Sequence, residues 1–245
     1  MTSDTPEGSS PGFRPLYRQV KQILVNRLRD GTWRPGVLIP SEVQIAADLG
    51  VSQGTVRKAL DEMRGENLLI SQQGRGTFVA RHDEARILFQ FFKIIPKIGP
   101  PVFPESELRG VSTGTANAQE QRALRLKAGD PVIRIARLRS LAGRLTISEY
   151  LSVPAGIFPG LGADIRVENN LYDLYASRYG ITVSRSEERI TAVGLPSEDA
   201  TLLGLATGTP VLAIDRIAIA LDGQPVEWRR SLCSTADCAY VSELR

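Results

Sequence analysis

Histidine and cysteine are nearly absent from this 245-residue sequence, which holds one of the first, His82, and two of the second, Cys233 and Cys238. That is too few for a zinc site built from Cys and His ligands, and the carboxylates are scattered through ordinary surface positions, so no metal is expected. Two cysteines near one end give no disulfide framework and point to a reduced, cytoplasmic protein. No run of about 18 apolar residues is present, which excludes a membrane-spanning helix. Met1 to Gly12 lacks the basic-then-apolar order of a secretory signal and reads as a short disordered tail. The lone histidine falls in a polar connector, and no Gly-x-x-x-x-Gly-Lys-Ser/Thr run occurs. The usual nucleophile-base pairs and phosphate loops are therefore missing, and neither catalysis nor a cofactor is expected.

What is present is unevenly distributed. The formal net charge is +3, and all of it lies in the first third: residues 1–82 hold 11 Lys/Arg against 8 Asp/Glu, whereas 83–245 hold 19 of each. A basic module beside a neutral one suggests that only the first meets a polyanion. Its aromatics, Tyr17, Trp33 and Phe78, read as packing positions rather than as platforms for stacking bases.

Periodicity separates the same two regions. Leu16, Val20, Ile23, Leu24 and Leu28 define a first helix, ending before Gly31 and the Arg34-Pro35-Gly36 turn. Ser41 caps a short second helix stopped by Gly50, and Ser52 caps a third whose buried stripe is Val56, Ala59, Leu60 and Met63. Leu68–Ile70 and Gly76–Val79 read as a hairpin around Gln72-Gln73-Gly74-Arg75. Beyond Ala80 a mixed-charge connector leads to helices predicted over 117–126, 171–179 and 197–205 and strands over 132–141, 145–153, 181–193, 211–221 and 226–233. Pro96 to Pro104, with four prolines, reads as a loop. The expected division is residues 13–80, a linker 81–88 and a second domain 89–245, and the expected class is α+β.

An internal repeat runs through the second domain. Leu124, Leu126, Gly129, Pro131, Val132, Ile135 and Arg137 recur 79 residues later as Leu203, Leu205, Gly208, Pro210, Val211, Ile214 and Arg216. Each copy reads helix, Gly-x-Pro turn, strand, turn, strand, and each second strand carries a glutamate, Glu149 or Glu227, one residue out of register with that shift. Two such units would build one mixed sheet with approximate two-fold symmetry and a groove between the halves.

Ala46, Gly50 and Val56, spaced by four and six, supply the small contact residue, the turn residue and the branched core residue that a helix-turn-helix requires. The third helix then presents Gln53, Gly54, Thr55, Arg57 and Lys58 at its amino end. Glutamine can pair with adenine, arginine with a guanine edge or a phosphate, and the Ser52 and Thr55 hydroxyls with phosphate oxygens. The hairpin tip with Arg75, Gly76 and Thr77 suits a wing whose arginine enters the minor groove. An ordinary three-helix core with a surface hairpin is the alternative at this point.

The runs Pro15-Leu16-Tyr17, Trp33-Arg34-Pro35-Gly36, Leu38-Ile39-Pro40-Ser41-Glu42, Val51 through Leu60 and Gln73 through Val79 together resemble the winged helix of GntR-family transcription regulators. The remainder resembles the UTRA effector domain of the HutC subfamily, a chorismate-lyase-like fold. The resemblance implies a homodimeric repressor on a pseudo-palindromic operator of double-stranded DNA, with a small anionic metabolite altering DNA affinity, and no membrane association. It adds Ser41 and Glu42 to the expected DNA-binding residues. Many members have arginine where this chain has Gln53, so the usual operator sequence is not assumed.

Arg137 and Arg139 share one face of a predicted strand and suit a carboxylate or phosphate. By the resemblance they join Glu149, Asn170 and Glu227 as expected effector contacts, Asn170 at a helix start. Glu149 and Glu227 could equally serve as structural ion-pair partners. The tyrosine often found six residues after the second glutamate is replaced by Cys233, which weakens the case for the usual sugar phosphates. The rival reading is a lyase-like enzyme fused to a DNA-binding module.

Overall fold

The computed structural model describes residues 15–80, 91–162 and 170–242. The expected tail, the linker 81–88 and His82 lie outside the described residues. Contacts divide the chain into two compact units, Met1–Ala80 and Arg81–Arg245.

In the first unit α1 (Leu16–Arg29), α2 (Glu42–Leu49) and α3 (Gln53–Gly65) are followed by β1 (Leu69–Gln72) and β2 (Gly76–Val79). Each short helix is started by its own sequence. The Ser41 hydroxyl accepts from the Gln44 amide at 3.3 Å while the Gln44 side chain accepts from the Ser41 amide at 2.9 Å, a reciprocal cap that satisfies two otherwise orphaned donors. Gly50 ends α2 at φ 64°, ψ 35°, in the left-handed region that a side chain disfavours. The Ser52 hydroxyl then accepts from the Thr55 amide at 3.2 Å and restarts the chain as α3. Val56, Ala59, Leu60 and Met63 bury against Ile45 of α2 and Leu24 of α1 as the core. The wing pairs Leu69 with Val79 and Gln72 with Gly76, and Leu38 bridges to Phe78. Gly76 sits at φ 107°, a conformation in which any side chain is strained.

The second unit is built on a six-stranded sheet with helices on one face and a helix and chain segments on the other, beside a two-stranded antiparallel sheet that pairs Ile94–Pro96 with Cys238–Tyr240. In chain order it comprises β3 (Ile94–Pro96), β4 (Glu105–Thr115), α4 (Ala118–Leu124), β5 (Pro131–Leu141), β6 (Arg144–Pro154), α5 (Leu171–Tyr179), β7 (Val183–Gly194), α6 (Ser197–Leu203), β8 (Pro210–Ala220), β9 (Pro225–Ser234) and β10 (Cys238–Tyr240). The spatial order is β4-β5-β6-β9-β8-β7, the palindromic order that two copies of a strand-helix-strand-strand unit produce. Every neighbouring pair in this sheet is antiparallel. The expected mixed sheet is therefore corrected: each copy returns through hairpins and a short helix, and the copies meet at β6 and β9 head to tail.

The repeat is longer than its sequence signature. Each copy opens with an edge strand, β4 or β7, and β4 was not expected. Its residues are mostly exposed and include Gly110 and Gly114, so it lacks the apolar alternation that marks a strand.

The spacing of the two glutamates is also corrected. The sheet pairs Arg137 with Glu149 but Arg216 with Arg229, so the counterpart of Glu149 is Arg229, and Glu227 lies two residues earlier, opposite Ala218. The β5–β6 turn is the two residues Ala142 and Gly143, whereas Leu221 to Gln224 separate β8 from β9, and that difference slides the last strand. Helices α4 and α6 cover one face through Leu124, Val132 and Ala116 and through Leu203, Ala200, Leu138 and Leu232. On the other face α5 packs Leu171, Leu174 and Tyr175 with Phe158 over Ile133, Leu151 and Val153.

Candidate DNA-binding face and effector pocket

Because Val56, Ala59 and Leu60 turn α3 inward, the intervening positions turn outward. Ser52, Gln53 and Gly54 at its start and Arg57 and Lys58 one turn on are exposed, with Thr55 half-buried. The amino end of α3 is thus presented and not packed inside. Glu42, at the start of α2, organises it: one carboxylate oxygen accepts from Arg57 Nε at 3.0 Å and from Gln53 Nε2 at 3.3 Å, while Arg64 approaches the other at 3.8 Å. Its expected place on the DNA-facing side therefore comes with a second job, holding two base-reading candidates in position. Lys58 leans the other way and sets its ammonium 4.1 Å from the Tyr17 ring centre. At the wing tip Arg75 and Gly76 are exposed and Thr77 is half-buried; the Arg75 guanidinium stands 5.9 Å from the Phe78 ring.

The second constellation lies on the α5 side of the sheet, where the strand pairing places side chains in rows. Arg137 and Glu149 are opposite neighbours, and the next pair on β6 and β9 sets Ser231 beside Glu149. Arg137 Nε donates to Glu149 Oε2. Arg229 Nη1 and the Ser231 hydroxyl donate to Glu149 Oε1 at 3.2 and 3.3 Å. Burial alone would raise the Glu149 carboxyl, but Arg137, Arg229 and Arg139 around it hold it well below the usual carboxylate range.

Glu227, fully buried, accepts from Arg229 Nε and Nη2 at 2.9 and 2.8 Å and from the Tyr175 hydroxyl at 2.8 Å. Burial and the Glu227 charge push the Tyr172 phenol up to about 12 and hold Tyr175 well above its ordinary value, so both remain neutral donors. Arg216 is paired with Glu188 at 2.5 Å and donates to the Phe91 carbonyl.

A cavity opens beside these groups. Arg137, Arg139, Arg216 and Arg229 line it, with Asn170, Leu171 and Tyr172 from the start of α5 and three phenylalanines, Phe91, Phe92 and Phe103. Arg139 stands 5.0 Å from the Phe92 ring and 5.9 Å from Phe103, and its Nε donates to the Ser106 hydroxyl at 3.1 Å. Burial, and Arg137 beside it, pull Arg139 down to about 9. The Asn170 side chain caps α5, accepting from the Asp173 amide at 3.1 Å.

Of the expected effector contacts, then, Arg137, Arg139 and Asn170 line the cavity. Glu149 lines an adjoining cavity with Arg216, Arg229 and Cys233, and Glu227 lines neither of these two. Sequence reasoning missed Arg216 and Arg229 as lining residues and all three phenylalanines. Arg216 was visible as the repeat partner of Arg137. Arg229 was hidden by the slide of β9, and the phenylalanines come from segments without periodicity.

A winged helix-turn-helix with an exposed reading helix, carried in one chain with a sheet that encloses an arginine-lined pocket, defines a ligand-responsive regulator. The chain belongs to the gntR family of bacterial regulatory proteins: that family matches residues 16–79, and the UTRA domain matches residues 103–237. It is 30% identical over 235 residues to the HTH-type transcriptional repressor PhnF of Mycolicibacterium smegmatis, covering 92% of this chain and 90% of that protein. To the mannosyl-D-glycerate transport/metabolism system repressor MngR of Escherichia coli K12 it is 27% identical over 231 residues, 94% and 96% of the two chains. To the histidine utilization repressor of Pseudomonas putida it is 28% identical over 206 residues, 84% and 82%. The crystal structure of PhnF superposes with a TM-score of 0.56 at 26% identity, covering 91% of this chain and 98% of that one.

Proposed function

We propose that the protein is a cytoplasmic, homodimeric repressor that binds a specific double-stranded DNA operator and leaves it when a small anionic metabolite occupies the C-terminal domain. Residues 13–80 form the DNA-binding domain, 81–88 the linker and 89–245 the effector and dimerisation domain. The observation that carries the reading is the exposed amino end of α3, with Gln53, Gly54 and Arg57 presented together in the way a recognition helix enters the major groove. Ser41, Ser52, Thr55 and Lys58 contact phosphates and Arg75, Gly76 and Thr77 form the wing contact. Arg137, Arg139 and Asn170 meet the effector directly. The occupied oxygens of Glu149 and Glu227 favour a supporting role for both glutamates. An enzymatic alternative gains nothing from the described residues of this pocket, which offer guanidinium donors and aromatic rings but among them no group suited to general-base work at neutral pH.

The test is selection of duplexes from a random pool, followed by titration of the enriched and a scrambled sequence. Specific binding is expected to exceed non-specific binding by roughly a thousandfold or more. A pool that yields no enriched sequence overturns the reading.

A further inference from the structure

The reading helix begins on a side chain whose amide is turned by α2. Resting on the DNA-binding reading above, we propose that Glu42 sets the base preference of Gln53, making it a reader of adenine and not of guanine, beside a guanine read by Arg57.

Hydrogen inventory carries the first step. A carboxylate only accepts, so the Gln53 group 3.3 Å from Glu42 Oε2 is its amide nitrogen. That bond takes one of the two amide hydrogens. The second hydrogen and Oε1 stay uncommitted among the described residues. One donor beside one acceptor matches the major-groove edge of adenine, where N7 accepts and the N6 amino group donates. Guanine presents two acceptors on the same edge, N7 and O6. The remaining Gln53 hydrogen satisfies only one of them, and Oε1 is set against the other. Without Glu42 the amide turns freely, and its nitrogen meets either purine.

Arg57 completes the pair. Its Nε donates to the same Glu42 oxygen at 3.0 Å, which leaves the two Nη nitrogens at the end of the fork for O6 and N7 of a guanine. Gln53 opens α3 and Arg57 follows one turn on, about 6 Å along the axis. With base pairs stacked about 3.4 Å apart, the adenine and the guanine fall within about two steps of each other.

Glu42 is itself held in place. Its side chain is only 25% exposed and its other oxygen faces Arg64 Nη2 at 3.8 Å, while Arg64 is tied to Asp61 at 3.0 Å and to the Ser71 hydroxyl of β1 at 3.2 Å. Two guanidinium groups thus offset the Glu42 charge and lower its repulsion by the phosphates of a duplex. In solvent its bond to Gln53 is weak. At an interface that sheds water the bond strengthens, and breaking it strands an acceptor.

The experiment is selection from a random duplex pool with the full chain, followed by titration of the enriched duplex and of copies changed one base pair at a time. One position is expected to prefer A·T over G·C by about tenfold. Gln53→Ala should erase that preference, and Gln53→Arg should turn it to G·C. Arg57→Ala should erase a guanine preference within about two base pairs of it. Glu42→Ala, and Glu42→Met, which keeps the side-chain length without the acceptor, should lower the ratio of A·T to G·C affinity at the Gln53-dependent position by about threefold or more while remaining folded by circular dichroism. A parent preference for G·C at that position, a Gln53→Ala profile identical to the parent's, or Glu42 variants that weaken the A·T and G·C duplexes equally overturns the proposal and leaves the regulator reading intact. A pool without an enriched sequence removes that reading and the proposal together.

Discussion

The two units handle charge in opposite ways. In the DNA-binding unit the cations at the amino end of α3 stand in solvent: Arg57 keeps 58% of its side chain exposed while paired with Glu42, so the pair is worth at most about 1 kcal/mol and weakens with salt. In the C-terminal unit Arg137, Arg139, Arg229, Glu149 and Glu227 are each under a tenth exposed, where an ion pair adds little net stability but losing one member leaves a bare charge. Charge in the first unit is therefore available to a partner, while in the second it is spent on fixing the shape of a pocket.

Substitutions should separate the two regimes. The largest effect is expected from Glu227→Ala, which strips Arg229 and Tyr175 of their acceptor; the C-terminal unit should lose about 3–5 kcal/mol in urea unfolding. A loss below about 1 kcal/mol would place that network in solvent and dissolve the contrast. Arg57→Ala should weaken binding to the selected operator by about 1–3 kcal/mol, ten- to more than a hundredfold, with the melting temperature within a degree of the parent. Unchanged affinity would strike Arg57 from the reading helix.

Acid offers a third contrast, since the folded Glu149 carboxyl lies below its unfolded value. Its stabilisation is complete above the unfolded value of about 4.3 and is lost as pH falls from there toward the folded one. Glu149→Gln should accordingly flatten the drop in C-terminal stability below about pH 4 and leave that of the N-terminal unit unaltered. Ser52→Ala should cost about 1 kcal/mol through the lost cap, and melt the N-terminal unit earlier without touching the other. The smallest effect, about 0.5–1 kcal/mol at an exposed site, is expected from Lys58→Ala, which gives up the contact with Tyr17.

How much of this was legible in the residues follows the same division. The first unit is specified locally: caps at Ser41 and Ser52, a left-handed stop at Gly50 and a 3.6-residue stripe on each helix all sit within a few positions of what they control, so its three helices and its wing read off the chain. In the second unit the repeat revealed two strand pairs and their helices, because Gly129 and Gly208 punctuate both copies. It did not reveal β4, whose exposed edge carries no alternation, nor the true partner of Arg216. Register there depends on a turn two residues longer, and a slide of that kind leaves no mark on either strand. The cavity was half visible for a related reason. Arginines on a strand declare a face, but which aromatic rings fold over that face is decided by segments far away in the chain.

Internal symmetry usually furnishes seats in pairs. Here the dyad between β6 and β9 repeats the framework, yet Ala218 stands where a second Arg139 would be needed and Arg229 where a second Glu149 would. The imitation is broken at Arg139, a residue proposed to meet the effector, and at Glu149, which supports it. Calorimetry should accordingly return one molecule bound per polypeptide, and a homodimer should count to two, not four.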